Sequence, residues 1–421
     1  MMNDDMNRVS AMGFVASLLR DGAEVFFVGG CVRDALRGAT SKDVDLLVRG
    51  VPVEDVEALL AKHGKVNAVG KSFGVLKFTP DEDTSLEVDV AMPRTERSTG
   101  PGHRDFEIMT DHLASVVTDL ARRDFTMNAI AVNVDTGERV DPFEGMVDIA
   151  RKQVRTLRSS SFLEDPLRIL RAVQFCARFD MQPTGSTASM MRRDADLLSS
   201  VSKERVAMEM VKLLKADKPS TGLRLLSKTV YLQRVLPGVL DFATGDALPE
   251  QVDAAEGLTA RVATLLQDLD PGTVGGVFHR VPFHTTGEVD QARVERAVRL
   301  SNRLFTISLT ATLSAERLRL ASRAAQRRLF VEAGGREGFA DMLDVMKARG
   351  HDLAALRAFG ETCDAPLDVK GLVVNGKDVM AVTGASGPAV GDLLRHLHSR
   401  VVDGLLLNVK TELVAAIQDT K

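Results

Sequence analysis

The chain has 421 residues, 44% of them hydrophobic and 27% charged, with a formal net charge of −4. That length exceeds one small core and predicts two to four domains, while the near-balanced charge excludes a globally basic nucleic-acid coat but leaves local basic faces open. No apolar run approaches a membrane span, the opening MMNDDMNRVS lacks a signal peptide's basic and apolar regions, and Cys31, Cys176 and Cys363 are too scattered for a disulfide framework or metal site. The expectation is a cytoplasmic protein with free thiols and no membrane partner.

Up to about residue 150 the pattern is mixed α/β. Val25–Val28 reads as a strand, 31–37 as a short helix and 43–48 as a second strand. A helix over 53–62 follows from Val53, Val56, Leu59 and Leu60 at helical spacing. Gly74–Phe78 and Leu86–Val90 predict paired strands around an acidic turn, Asp81-Glu82-Asp83. Residues 94–107, RTERSTGPGHRDFE, show no apolar periodicity and predict a polar, mobile loop beside the site. Residues 111–121 read helical, and Ala129–Val134 resumes strand character.

Beyond Asp141-Pro142-Phe143-Glu144-Gly145 the character changes. Residues 165–179, 187–197 and 203–215 are helical in period, with little strand signal afterwards. Gly272-Thr273-Val274-Gly275-Gly276 reads as a flexible break, 288–330 as an Arg- and Ala-rich helical region, and Asn375-Gly376-Lys377-Asp378 as a turn or helix start. The expected division is a catalytic head over 1–150, a helical neck over 151–230, a body over 231–340 and a tail over 341–421.

The chemistry is concentrated in the head and the start of the neck. Asp43 and Asp45 lie at i and i+2; on a strand they share a face, with Cα atoms roughly 6–7 Å apart. Two like charges that close repel unless a cation sits between them, and Mg²⁺ accepts oxygen ligands of this kind. Surface acids on an edge strand are the bland alternative, and the glycine element upstream weighs against it. Glu87 and Asp89 share a face of the later strand, and Asp89 is the better third acid. Gly29 and Gly30 let backbone N–H groups approach an anion, and Arg33, one turn into the helix, adds a fork for a phosphate, whereas Asp34 fits a local cap or pair.

Arg122-Arg123-Asp124-Phe125-Thr126-Met127-Asn128-Ala129 is dense in hydrogen-bonding groups. Arg123 and Asn128 suit sugar or phosphate, and Asp124 suits orienting an arginine or accepting from a ribose hydroxyl. Glu164-Asp165-Pro166-Leu167-Arg168 opens a helix with acids and proline at its start, as capping favours. Asp165 and Arg168 are neighbours at i,i+3, where an acceptor and a donor fork read a base edge or simply pair with each other. Phe175 and Phe179 read as core. Seven basic residues between Arg151 and Arg178 face only Glu164 and Asp165, which suits a phosphate-bearing partner. The eight histidines form no zinc cluster, and no Walker A loop or Gly-x-Ser-x-Gly elbow is present.

In this order the motifs resemble the bacterial-type, class II tRNA nucleotidyltransferase and poly(A) polymerase family. The likeness rests on Gly29-Gly30-x-x-Arg33-Asp34, Asp43-x-Asp45, the Arg122–Ala129 run, Asp141-Pro142-Phe143-x-Gly145, Glu164-Asp165-x-x-Arg168 and Glu204-Arg205-x-x-x-Glu209, and weakly on Leu372–Asp378. The resemblance implies a polymerase-beta-like α/β (α+β) nucleotidyltransferase head followed by all-helical neck, body and tail. It implies Mg²⁺ on Asp43 and Asp45, with Asp89 as the third catalytic acid. It implies ATP and CTP read by Asp165 and Arg168 and positioned by Gly29, Gly30, Arg33, Arg123, Asp124 and Asn128. Arg171 and Arg178, further along the same helix, complete the expected nucleotide-binding set.

The implied reaction is addition of CMP and AMP to a tRNA 3′ end, with the helical parts holding the acceptor arm by its shape. DNA is not an expected partner, and the protein is expected as a monomer or homodimer. A-only addition to tRNA ending in CC and poly(A) synthesis are the rival activities, and a catalytically silent RNA-binding protein is the rival class. The 94–107 loop corresponds to the family's element that assists the switch from C to A. Gln174 stands where many relatives carry arginine, and no motif of an attached HD phosphohydrolase domain is present.

Overall fold

A computed structural model describes residues 4–41, 43–67, 74–98, 106–229, 236, 239, 247–269, 271–310, 323–351 and 353–419. The chain divides into two compact units, Met1–Ser200 and Val201–Lys421. The first therefore contains the whole expected head together with the first part of the expected neck.

In the first unit, helices α1 (Asp4–Ser10) and α2 (Gly13–Arg20) precede strand β1 (Glu24–Val28) and helix α3 (Gly30–Leu36). Next come β2 (Val44–Arg49), α4 (Val53–Leu60), β3 (Gly64–Asn67), β4 (Val75–Pro80), β5 (Val88–Ala91), β6 (Arg94–Ser98), β7 (Phe106–Thr110) and α5 (Val116–Leu120). After these follow β8 (Ala131–Asn133), β9 (Arg139–Val140), α6 (Gly145–Ala150), β10 (Gln153–Val154), α7 (Ser161–Glu164), α8 (Arg168–Phe179), β11 (Gln182–Pro183) and α9 (Gly185–Asp194).

The main sheet has the order β3-β4-β5-β2-β1-β8-β9, with β2 and β5 parallel and its other neighbours antiparallel. Its middle strands are covered on both faces, which is why they read as apolar runs. Val25, Phe27, Leu46, Val48, Phe78 and Val90 pack beneath Phe14, Leu18, Val56 and Leu60 of α2 and α4. Phe26, Val28 and Leu47 point the other way and meet Leu120, Ala129 and Ala131. Asp45 is on that second face because it lies two residues before Leu47 on β2.

Two expectations for this unit are revised. The 94–107 stretch is not wholly a loop: β6 and β7 pair antiparallel from Arg94↔Thr110 to Ser98↔Phe106, and only 99–105 lies outside the described residues. A ladder needs backbone groups alone, so a polar segment forms one without showing an apolar period. The helix expected over 111–121 is shorter. It begins after Ser115, whose side chain accepts from Thr118 N–H as an N-cap, while Asp111 accepts from Leu113 N–H in the preceding turn.

The described residues of the second unit form helices and short 3₁₀ turns with no strand. Gly272–Gly276, expected as a break, lies inside the helix Pro271–Arg280. Val274, Val277 and Phe278 are buried along it, so tertiary packing outweighs the glycine penalty of about 1 kcal/mol each. Of the Arg-rich 288–330 region, Gln291–Thr310 and the start of Arg323–Ala333 are helical, while Arg317 and Arg319 lie outside the described residues. Asn375 caps its helix in a reciprocal capping box with Asp378. No helix among the described residues is long and apolar enough to cross a membrane.

Candidate active site

β1 ends, and β2 and β5 begin, at the same edge of the sheet, and there a cleft of about 380 Å³ opens. Gly29, Gly30, Arg33, Asp45, Arg123, Asp124, Asn128, Asp165, Arg168 and Arg171, all expected from sequence, line it together with Arg122. Every one of these residues lies within Met1–Ser200.

The glycine turn is shaped around Asp45. Gly29 has φ 74°, and a Cβ there would sit 2.8 Å from Arg123 Nη1 and 3.0 Å from Asp45 Oδ2. Only glycine allows that approach and that dihedral at once. The Gly30 N–H donates to the Asp45 carboxylate, so this amide, expected to meet a substrate anion, serves the protein's own acid first. Burial pushes the Asp45 carboxyl above its ordinary range. Arg123 pulls it down, the neighbouring Asp89 and Asp43 charges push it up, and the Gly30 amide opposes them. The net shift is upward, with burial as its first cause.

Asp43 is exposed and lies immediately before β2 rather than on it. Asp89 is paired in register with Asp45 across β2 and β5. Its Oδ1 is buried without a hydrogen bond and lies 3.4 Å from the Lys77 ammonium, although the side chain as a whole is 41% exposed. Among the described residues no three His, Cys, Asp or Glu side chains form a ready metal cage. Asp43 and Asp45, with the in-register Asp89 offering a buried oxygen that makes no hydrogen bond, do fit Mg²⁺, which takes one or two carboxylates and completes its shell with water and substrate phosphates.

The second cluster is more fully committed than its sequence suggests. Arg33, expected to fork a phosphate, forks Asp34 instead: Nε to Oδ1 at 2.9 Å and Nη2 to Oδ2 at 2.7 Å. Its Nη1 donates to Asn128 Oδ1 at 2.8 Å. The pairing of Asp34 is thus local, as expected, but its partner is the arginine assigned to substrate. Two neighbouring side chains with matching forks satisfy each other before any ligand arrives. Asn128 Nδ2 donates to Asp124 Oδ1 at 2.8 Å, and Asp124 Oδ2 accepts from Arg171 Nε at 2.8 Å. Burial pushes the Asp124 carboxyl up, but Arg171, Asn128 and the Phe125 N–H together hold it below its ordinary range. Arg123 is braced by Asp119 at 3.1 Å, an unforeseen support whose i,i+4 spacing is nonetheless visible in the sequence.

At the start of α8, Arg168 does not pair with Asp165. Its Nη1 donates to Ser161 Oγ at 3.0 Å and Glu164 Oε2 at 3.1 Å, and its Nη2 donates to the Arg122 carbonyl at 3.1 Å. Asp165 ends α7 in extended backbone and accepts from Leu167 N–H, so the chain bends between the two residues and α8 proper begins at Arg168. Both side chains still line the cleft. Ser161, Glu164 and the Arg122 carbonyl were not foreseen as supports; a backbone acceptor leaves no mark in sequence.

Arg178 is the one expected nucleotide-binding residue that does not line the cleft. It is exposed, lies over the Phe179 ring at 5.1 Å and donates to Gln174 Oε1 at 3.2 Å. It falls ten residues after Arg168 on a twelve-residue helix, about 15 Å along the axis. Phe175 is buried, as expected, while Phe179 is half-buried, and both carry guanidinium groups over their faces: Arg33, Arg37 and Arg178 on Phe179, Arg33 and Arg171 on Phe175. Cys31 is a buried thiol whose pKa burial raises to about 11, in keeping with a small apolar filler.

Comparison with known proteins places this geometry. Residues 25–155 match the family described as the poly A polymerase head domain, and 180–242 that described as a probable RNA and SrmB-binding site of polymerase A. The multifunctional CCA protein of Xanthomonas oryzae is 40% identical over 225 residues, and the match spans about half of each chain (51%). The CCA-adding enzyme of Geobacillus stearothermophilus is 31% identical over 428 residues, covering 97% of this chain and 96% of its own length. The crystal structure of Bacillus stearothermophilus CCA-adding enzyme with CTP superposes over the whole chain and 98% of its own, with a TM-score of 0.72 and 26% identity.

Proposed function

The chain belongs to the family of bacterial-type CCA-adding enzymes and poly(A) polymerases, and on that premise we propose that it adds CMP and AMP from CTP and ATP to the 3′ end of tRNA. The observation that carries the reading is the convergence of Asp45, Arg123 and the base-reading candidates Asp165 and Arg168 on one cleft. Its volume of about 380 Å³ lies within the range of small-molecule sites.

In the proposed reaction the terminal 3′-hydroxyl gives up its proton to solvent as its oxygen forms a bond to the α-phosphorus, the bond from that phosphorus to the α–β bridging oxygen breaks, and pyrophosphate departs with the electron pair. Asp43 and Asp45 would hold Mg²⁺, which when bound would supply positive charge to lower the pKa of the attacking hydroxyl and to neutralise the leaving pyrophosphate. Asp89 stands beside Asp45 as the third acid. Arg123 and Arg171 bring positive charge to the triphosphate, each braced by an acid of its own, Asp119 and Asp124. Arg33 and Asn128 keep that frame in place rather than reaching outward. Asp165 and Arg168 present an acceptor and a donor fork to the Watson–Crick edge of the incoming base. Arg168 retains donors for this because Ser161, Glu164 and Arg122 occupy only two of its three nitrogens.

The test offers the protein tRNAs ending before C, after one C and after CC, each with labelled CTP or ATP. Restoration of CCA from all three supports the proposal. Addition only to the CC-ending tRNA makes it an A-adding enzyme, and long A tails make it a poly(A) polymerase. Asp45→Ala is expected to lose incorporation while keeping tRNA binding, and unchanged incorporation would overturn the metal assignment.

A further inference from the structure

The acidic row at the cleft continues into a cation. Asp45 on β2 is paired in register with Asp89 on β5, and Asp89 with Lys77 on β4. Directly paired residues share a face, so the three side chains stand in line across the sheet. The Lys77 ammonium lies 2.5 Å from Glu87 Oε1 and 3.4 Å from Asp89 Oδ1, on a side chain 48% exposed.

Strand order gives this row a direction. Besides Asp165, Arg168 and Arg171, the cleft is lined from the end of β1 and from the segment leading into β8, which lie on one side of Asp45 in the strand order, and by nothing from β4 or β5. Lys77 lies on the other side, two strands away from Asp45. Phosphoryl-type transfer runs in line, with the attacking oxygen entering opposite the leaving group. With the triphosphate in the cleft, the side of the sheet left for the strand bearing the nucleophile is that of β5 and β4.

We propose that Lys77 binds the terminal phosphodiester of the acceptor RNA and so positions its 3′-hydroxyl beside Asp45 and Asp89. The proposal rests on the nucleotidyl-transfer reading above and adds a primer-side residue to it. Lysine suits such a contact, because a compact charge on a flexible stem with three donors takes a phosphate oxygen while keeping a carboxylate partner. The competing explanation is a half-exposed cross-strand ion pair, screened by solvent, which adds little to stability and nothing to RNA binding.

The experiment measures RNA binding and steady-state kinetics of the full chain with Lys77→Ala, Lys77→Arg and, as a charge control, Lys62→Ala just after α4. Lys77→Ala is expected to weaken RNA binding on the order of tenfold and to reduce the salt slope by about one phosphate contact. It should raise KM for the RNA end while leaving KM for CTP and ATP unchanged, and Lys77→Arg should recover most of the loss. Unchanged RNA affinity and salt slope, an equal effect from Lys62→Ala, or a rise in triphosphate KM would overturn it. Binding is read without turnover, so a wild-type protein that binds RNA but extends none of the three tRNAs counts against the transfer reading separately.

Discussion

Gly29 is where a single residue matters most. Its positive φ and the 2.8 Å approach of Arg123 Nη1 leave no room for a side chain, so Gly29→Ala must strain the backbone and displace Arg123 or Asp45. A strained dihedral of this kind costs about 1–3 kcal/mol. The expected outcome is a modest fall in melting temperature and a much larger loss of CTP and ATP binding, read by calorimetry. Full retention of triphosphate binding would show that the turn is free to rearrange. At this scale the paired acids and the glycine turn were legible, because each depends on residues adjacent in sequence. The partners of Arg33 were not: a fork that fits a phosphate fits the carboxylate of Asp34 equally well, and only the packed geometry chooses.

Between elements, the telling contact is Asp124 with Arg171, which fastens the segment before β8 to α8. Asp124 is buried; its Oδ1 accepts from Asn128 and Phe125 N–H and its Oδ2 from Arg171, so an amide in its place keeps one acceptor oxygen but sets an NH₂ against the Arg171 guanidinium. Asp124→Asn is expected to destabilise the protein by about 1.5–3 kcal/mol at neutral pH. The folded pKa of Asp124 is depressed, so its contribution is complete above the unfolded value of about 3.9 and is lost as pH falls through the lower folded value. Urea unfolding of wild type and variant should therefore show a gap that is constant near neutrality and shrinks only below about pH 4. A gap that closes between pH 7 and 5 would mean another group governs it.

The same scale explains what periodicity missed. The β6 and β7 ladder is made by backbone atoms, and the glycine-rich helix at Pro271–Arg280 is held by the burial of Val274, Val277 and Phe278. Neither force appears in a count of local propensities.

For the whole molecule, the division at Ser200 assigns the complete cleft and the two sheet-face cores to the first unit. A chain ending at Ser200 is therefore expected to fold and to bind ATP and CTP, as shown by a cooperative thermal transition that shifts upward with added nucleotide. An unfolded fragment, or a folded one blind to triphosphates, would show that residues after 200 are needed to build the cleft.

The sequence alone determined the kind of chemistry and most of the residues that line the cleft. Paired acids, a glycine turn, an arginine-rich run and a helix opened by acids are short-range patterns, each set by spacing along one element. The tertiary structure decided which of those residues line the cleft and which of them also brace their neighbours. Arg33 and Asn128 became framework, Arg178 fell outside the cleft, and Arg168 took its supports from Ser161, Glu164 and a backbone carbonyl. Lys77, Asp89 and Asp45 belong to three strands, and only sheet register brings them into one row. The physical reason is common to all of these. Spacing fixes the face a residue takes on its own element, but its partner is chosen by the packing of elements distant along the chain.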